Sequence, residues 1–236
     1  MAYDNRTVQR SGQVAAFEEG LRGFMQRVFV YMALGLGVTG IAAFFAATTP
    51  AIQAVLYAPG MIWVTILAPL AVVFFLSFRI NSMSFSAAQT TFWFYAALMG
   101  LSITPVLMMY QVESVARIFF ITASVFGTMA LYGYTTKKDL TSLGSFMFMG
   151  LIGVVIASLV NLFLQSSMMT LVTSALSVII FTGLTAYDVQ KLKDIYYEAD
   201  TPEATGKMAV MGALNLYLDF INLFMALLRL FGTRRD

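Results

Sequence analysis

Long uncharged runs alternate with short polar stretches along the 236-residue chain. No charged residue occurs in four segments, which are 28–78, 80–112, 118–136 and 140–187. A helix that crosses a membrane needs about 20 apolar residues, so the first and last of these runs are each long enough for two spans. Pro50, Pro59 and Gly60 mark a break within the first run, and the polar residues 165–167 mark one within the last.

This pattern predicts seven membrane-spanning helices in one all-α domain. The predicted spans are 24–47, 61–78, 87–109, 115–134, 145–164, 168–187 and 208–231. The apolar runs are continuous, which favours helices over the alternating strands of a membrane β-barrel. We therefore predict a polar N-terminal tail at 1–23, a seven-helix transmembrane domain at 24–232 and a short C-terminal tail at 233–236. The first span is too long for the core of a signal peptide and is expected to stay in the protein.

The distribution of lysine and arginine predicts the orientation in the membrane. If every second loop faces the same side, the N-terminal side carries ten basic residues, namely Arg6, Arg10, Arg22, Arg27, Arg79, Lys137, Lys138, Lys191, Lys193 and Lys207. The other side carries only Arg117 when the C-terminal tail is set aside. The N-terminus is thus predicted to be cytoplasmic. The sequence leaves two alternatives for the side on which the C-terminus lies. Seven full spans would place Arg234 and Arg235 outside, whereas a re-entrant last helix would keep them inside.

The composition excludes several classes of protein. With 59% hydrophobic and 11% charged residues, the chain is neither an ordinary soluble domain nor a disordered one. It has no cysteine and no histidine, so disulfides, cysteine-type zinc sites and histidine-dependent nucleophile pairs are absent. A formal net charge of +2 does not indicate nucleic-acid binding. No cofactor motif is found, and we expect no cofactor.

Two acidic residues lie in or next to predicted membrane spans, where an ionised carboxylate is energetically costly. Asp188 follows the sixth span and Asp219 lies within the seventh. The simpler interpretations are that Asp188 sits at the membrane boundary beside Lys191, and that Asp219 is a structural carboxylate paired with Arg229 or another arginine. Arg79 ends the second span, where it could be an anchor that reaches the lipid headgroups.

The last predicted helix has one polar face. Asn215, Asp219, Asn222, Ala226 and Arg229 fall within about 80° of one another at the helical repeat. Such a helix is expected inside a bundle, with its polar stripe against protein or water. Asn215 and Asn222 could therefore line a pore. Together with the two aspartates they offer oxygen ligands that suit calcium, but too few for a tight metal site.

Three segments resemble a known family. They are Gly-Tyr-Thr-Thr-Lys-Lys-Asp-Leu at 133–140, Leu-Thr-Ala-Tyr-Asp-Val-Gln-Lys-Leu at 184–192 and Leu-Tyr-Leu-Asp-Phe-Ile-Asn-Leu-Phe at 216–224. The chain resembles the transmembrane Bax inhibitor motif family, also called the Bax inhibitor-one family, and most closely its bacterial members. The resemblance runs from about residue 20 to residue 232 and implies a bacterial plasma (inner) membrane protein.

The resemblance implies a seven-helix bundle whose last helix is central and surrounded by the other six. Characterised members are calcium-leak channels whose opening depends on pH, and their two-aspartate sensor corresponds to Asp188 and Asp219. An arginine that contacts the sensor in the closed state corresponds to Arg79. Some members carry an additional acid earlier in the second helix, where this chain has Ala68-Pro69-Leu70. Another bacterial branch consists of modulators of a membrane-bound AAA protease, which is the alternative function.

An enzyme is the third alternative, because two intramembrane aspartates also occur in aspartyl proteases of the membrane. Tyr187-Asp188 matches the first half of their signature. The second half requires Gly-x-Gly-Asp, and the residues before Asp219 contain no glycine at 216–218. We therefore predict that the protein is not an enzyme. In a chain without histidine, a coupled pair of carboxyl groups is the best candidate for pH sensing.

Overall fold

The computed structural model describes residues 2–197 and 201–235, with side chains at 17–196 and 201–235, and these residues are mostly helical. The helices are α1 (Ala2–Thr48), α2 (Pro50–Leu56), α3 (Met61–Arg79), α4 (Phe85–Met108), α5 (Val112–Thr135), α6 (Thr141–Leu164), α7 (Ser167–Tyr197) and α8 (Pro202–Phe231), with a 3-10 turn at Ile80–Ser82. In the described residues, seven of them are long and apolar enough to cross a membrane, and only the short α2 is not. The predicted all-α membrane bundle is confirmed.

The helices extend beyond the apolar segments that predicted them. α1 starts at Ala2, so it runs through the segment expected to be a polar tail. α7 continues from the predicted end at Tyr187 to Tyr197, and α8 begins six residues before the predicted span. Hydropathy marks where a helix is apolar, whereas charged residues such as Arg, Lys and Glu are compatible with helix in water.

The start points of α7 and α8 follow from local side-chain chemistry. Gln165 takes a left-handed backbone conformation with φ of 50° and ends α6. The Asn161 side chain accepts a hydrogen bond from the Ser166 amide at 2.9 Å, which closes the turn into α7. Thr201 accepts a hydrogen bond from the Ala204 amide at 3.2 Å, and Pro202 follows it. This is the usual start of a helix.

α8 is the central helix. In its most apolar stretch 72% of the residues are buried, against 33% or fewer in every other spanning helix. It packs against α1, α4, α5 and α7. The expected central position of the last helix is confirmed, whereas α3 packs mainly on α4 and α6 packs mainly on α7. The wall around α8 is therefore incomplete beside α6.

A buried hydrogen-bond cluster joins α8 to α1 and α4. The Thr39 hydroxyl lies 2.6 Å from the Tyr217 hydroxyl and donates to the Ala96 carbonyl at 2.8 Å. Glycines allow these backbones to approach, since a side chain at Gly100 would meet the Thr39 carbonyl and one at Gly35 would meet the ring of Phe92. This cluster ties α8 to α1 and α4 within the core of the bundle.

The C-terminal residues are bound to the turn between α4 and α5. The Gln111 amide donates to the Thr233 carbonyl at 3.0 Å, and the Arg235 amide donates to the Met109 carbonyl at 2.9 Å. α3, α5 and α7 end on one face of the bundle, which we call the N-terminal face, and this turn lies on the opposite face. α8 therefore runs from the N-terminal face of the bundle to the opposite face, where its C-terminal end is bound.

Candidate functional site

Asp188 of α7 and Asp219 of α8 meet inside the bundle. Their carboxyl groups are in hydrogen-bonding contact. Asp219 is 5% exposed, whereas Asp188 is partly buried. The Oδ2 atom of Asp219 is buried and has no hydrogen-bond donor within the described part of the chain. The structure therefore brings together the two aspartates that the sequence singled out.

Glycines on three neighbouring helices hold α7 in place on both sides of Asp188. A side chain at Gly133 of α5 would meet the backbone of Ala186, and one at Gly144 of α6 would meet the ring of Tyr187. Gly212 of α8 packs in the same way against the side chain of Leu192. Because such contacts tolerate no larger residue without movement, they fix the position of α7 relative to α8.

The aspartates lie in the wall of a cavity of about 820 Å³ between α6, α7 and α8. The lining comprises Gly144, Ser145, Phe148, Met149, Leu151 and Val155 of α6, Phe181, Leu184, Tyr187, Asp188 and Lys191 of α7, and Asn215, Leu218, Asp219 and Asn222 of α8. Asn215 and Asn222 are exposed in this opening, so the two predicted pore-lining residues share one cavity with the aspartates. Arg229, the last member of the predicted polar stripe, is not part of the lining.

Lys191 brings a positive charge into the same cavity. It lies one turn after Asp188 on α7, and its charge acts on that carboxyl group. The ammonium group is 5.8 Å from the centre of the Tyr187 ring. Asp188 does not end a helix, since α7 continues for nine more residues. The interpretation of Asp188 as a residue at the membrane boundary stays a prediction, and the lysine that this interpretation named does lie beside it in the cavity.

The structure does not bring Arg79 to the aspartates. Arg79 is exposed in the last turn of α3 and does not line the cavity. α3 packs mainly on α4 rather than on α7 or α8, so the segment 68–70 lies on the same outlying helix. The closed-state contact implied by the family resemblance is absent from this arrangement of the described residues.

Sequence reasoning did not predict that Gln190 and Lys193 tie α7 to its neighbours. The Gln190 side chain accepts from the Leu140 amide and donates to the Lys138 carbonyl, both at 2.8 Å. The Lys193 ammonium donates to the Tyr134 carbonyl at 2.9 Å. The two bonds of Gln190 join two of the three motif segments, and Lys193 follows directly after the second. The sequence did contain a signal for these contacts, namely polar residues at the end of the second motif. Such side chains can form hydrogen bonds with the backbone N–H and C=O groups that are left unpaired where two helices end.

The comparisons with known proteins cover nearly the whole chain. The family model described as "Inhibitor of apoptosis-promoting Bax1" matches residues 21–236. The inner membrane protein YbhL of Escherichia coli K12 is 42% identical over 229 residues, covering 96% of this chain and 98% of that protein. The RP147 protein of Rickettsia prowazekii is 45% identical and covers 98% of each chain. A membrane protein of Streptococcus pyogenes serotype M3 is 37% identical, covering 90% of this chain and 93% of that protein.

Proposed function

The chain belongs to the family of Bax inhibitors, and we propose that it is a proton-sensitive cation leak channel of the bacterial inner membrane that lets calcium pass. One observation carries the proposal: Asp188 and Asp219 are in contact at the wall of a cavity that opens beside α6. In this proposal the N-terminus is cytoplasmic, and the aspartates gate ion passage rather than catalyse a reaction.

The contact between the two carboxyl groups supplies the gate. A carboxylate is only an acceptor, so two carboxyl groups can share a hydrogen bond only when one of them carries a proton. Loss of that proton leaves two negative charges side by side. At 4 Å and an effective dielectric constant of 20 their repulsion is about 4 kcal/mol, enough to shift a two-state equilibrium by a factor of several hundred or more. Protonation thus holds α7 against α8, and deprotonation drives them apart.

The cavity offers a path for a hydrated cation as far as the middle of the bundle. Its lining reaches from Lys191, toward the N-terminal face, to Val155 of α6 and Asn222 of α8. α8 continues for nine residues beyond Asn222, which is about 14 Å at 1.5 Å per residue. This remaining distance has to open for conduction, so the arrangement corresponds to a closed state.

The polar side chains of the cavity suit a cation in transit. Calcium prefers oxygen ligands and takes six to eight of them. Two aspartates and two asparagines provide fewer, with water completing the shell. Lys191 opposes the accumulation of cations at the mouth of the cavity. This combination favours slow passage over tight binding.

The test is calcium flux into proteoliposomes as a function of pH. The wild type should show flux that changes between about pH 6 and 8, where a coupled carboxyl pair can titrate. Asp188→Asn and Asp219→Asn should each abolish the pH response, because neither variant retains two ionisable groups in contact. Asp194→Asn is the matched control, since Asp194 is an exposed aspartate of the same helix outside the cavity.

Two results would contradict the proposal in different ways. Absence of cation flux over this whole pH range would refute the channel and favour the alternative, a modulator of a membrane-bound AAA protease. An intact pH response in the double asparagine variant would leave the channel standing and refute the aspartate gate.

A further inference from the structure

A second opening lies on another side of α8, between α1 and α5. It is a groove of about 580 Å³ on the N-terminal half of the bundle. α1 and α5 both pack on α8, and the groove runs between them. The aspartate cavity is bounded by α6 and α7 instead, so the two openings are separate and the groove plays no part in the proposed gate.

The groove has an apolar body and a polar end. Its residues recur about every four positions, from Arg22 to Val30 along α1 and from Phe126 to Tyr134 along α5. Because the two helices are antiparallel, Arg22 lies level with Tyr134, next to the end of α5. Val30 and Phe126 lie about 12 Å deeper, eight residues along the helix at 1.5 Å each. A side chain added at Gly127 would meet nothing within 4 Å, so the groove is open there.

Positive charge is concentrated at the shallow end. Arg22 belongs to the lining and is exposed. The Lys193 ammonium lies 5.6 Å from the centre of the Tyr134 ring, which also lines the groove. No carboxylate is part of the described lining, and Glu18 and Glu19, about one turn before Arg22, are exposed outside it. The end of the groove is therefore complementary to an anion.

We propose that this groove binds one anionic phospholipid, with its phosphate at Arg22 and an acyl chain along the apolar body. Basic pockets between transmembrane helices bind anionic lipid headgroups, and a guanidinium group pairs with phosphate in a bidentate manner. Tyr134 ends the predicted fourth span, and tyrosine is enriched at the boundary between lipid and water. The acyl chain would lie between Met25 and Phe29 on α1 and Gly127 and Leu131 on α5.

Native mass spectrometry of the full-length protein, titrated with phosphatidylglycerol or phosphatidylcholine, tests the headgroup site. The wild type should bind the first lipid phosphatidylglycerol more tightly by roughly fivefold, the contribution of one basic residue near an anionic surface. Arg22→Gln should remove this preference. Arg27→Gln is the matched control, because Arg27 is an exposed arginine of the same helix outside the groove, where it donates to the Gly23 carbonyl.

A second pair of variants tests the acyl-chain site. A Cβ atom at Gly127 would meet nothing within 4 Å, so Gly127→Leu should place its side chain in the groove and weaken the binding of both lipids. Gly37→Leu is its control, since Gly37 is also exposed with open space around it but lies outside the groove.

Three results would overturn the proposal. They are equal affinity of the wild type for the two lipids, equal loss of preference in Arg22→Gln and Arg27→Gln, and unchanged lipid binding in Gly127→Leu. Unchanged elution volume and helix content of each variant show that it is folded.

Discussion

Gly133 provides the sharpest test of how α7 is positioned. A side chain at this buried position would meet the carbonyl oxygen, carbonyl carbon and Cα of Ala186. These are backbone atoms that cannot rotate away, so Gly133→Ala must push α5 from α7 two residues before Asp188. Overpacking of this kind costs about 1–3 kcal/mol, and we expect the upper half of that range. Alanine also improves helix propensity by about 1 kcal/mol.

The net destabilisation should therefore be about 1–2 kcal/mol, which lowers Tm by about 2–8 °C in a chain of this size. Gly127→Ala is the matched control, because Gly127 lies six residues earlier on the same helix with nothing within 4 Å of an added side chain. It receives the propensity gain alone, so its Tm should rise by about 2–4 °C. Thermal unfolding in detergent, followed by tryptophan fluorescence, measures both. Equal shifts of the two variants, or a more stable Gly133→Ala, would refute the argument.

Three further predictions concern single charges. Lys191→Gln should increase cation flux because it removes a positive charge from the cavity. Arg79→Gln should leave the pH profile of the flux unchanged because Arg79 is exposed outside the cavity. Increased leak in Arg79→Gln, measured in the same liposomes, would restore Arg79 as the closed-state partner of the aspartates. Hydrogen bonds from the hydroxyl of Thr141 and then from its backbone amide lower the pKa of Asp139. An aspartate whose pKa is lowered by folding stabilises the protein at pH values above its pKa in the unfolded chain, which is about 4. This stabilisation is lost as the pH falls through the pKa of the folded protein. The wild type should lose Tm relative to Asp139→Asn below about pH 4, and a constant difference from pH 3 to 7 would contradict this.

The positions of the spans were predictable because each spanning helix must be apolar over a fixed length. Helix ends were less so. The predicted sixth span ended at Tyr187, whereas α7 continues to Tyr197, because the absence of apolar residues does not terminate a helix. The short α2 also went unpredicted, although Pro50 at its first position is a start signal.

The aspartate pair was predictable and its surroundings were not. Asp188 and Asp219 were recognisable because an acid in an apolar helix needs a partner or water. Arg79 was assigned to the pair only through the family resemblance, and in the structure it is exposed in the last turn of α3 and does not line the cavity. Lys191 was considered only as a boundary residue, yet it shares the cavity with both aspartates.

The packing of α8 determines which helices respond when the pair separates. α8 is tied to α1 through the bond between Tyr217 and Thr39, and its C-terminal end is bound to the turn between α4 and α5. α6, by contrast, packs on α7 and leaves the cavity open beside α8. Repulsion between Asp188 and Asp219 thus acts between α8, which is anchored on α1, α4 and α5, and α7, which also packs on α5 and α6. In the proposed mechanism α7 moves away from α8 and carries α6 with it, so the contact between α7 and Gly133 of α5 has to shift, and the cavity that already contains both aspartates widens.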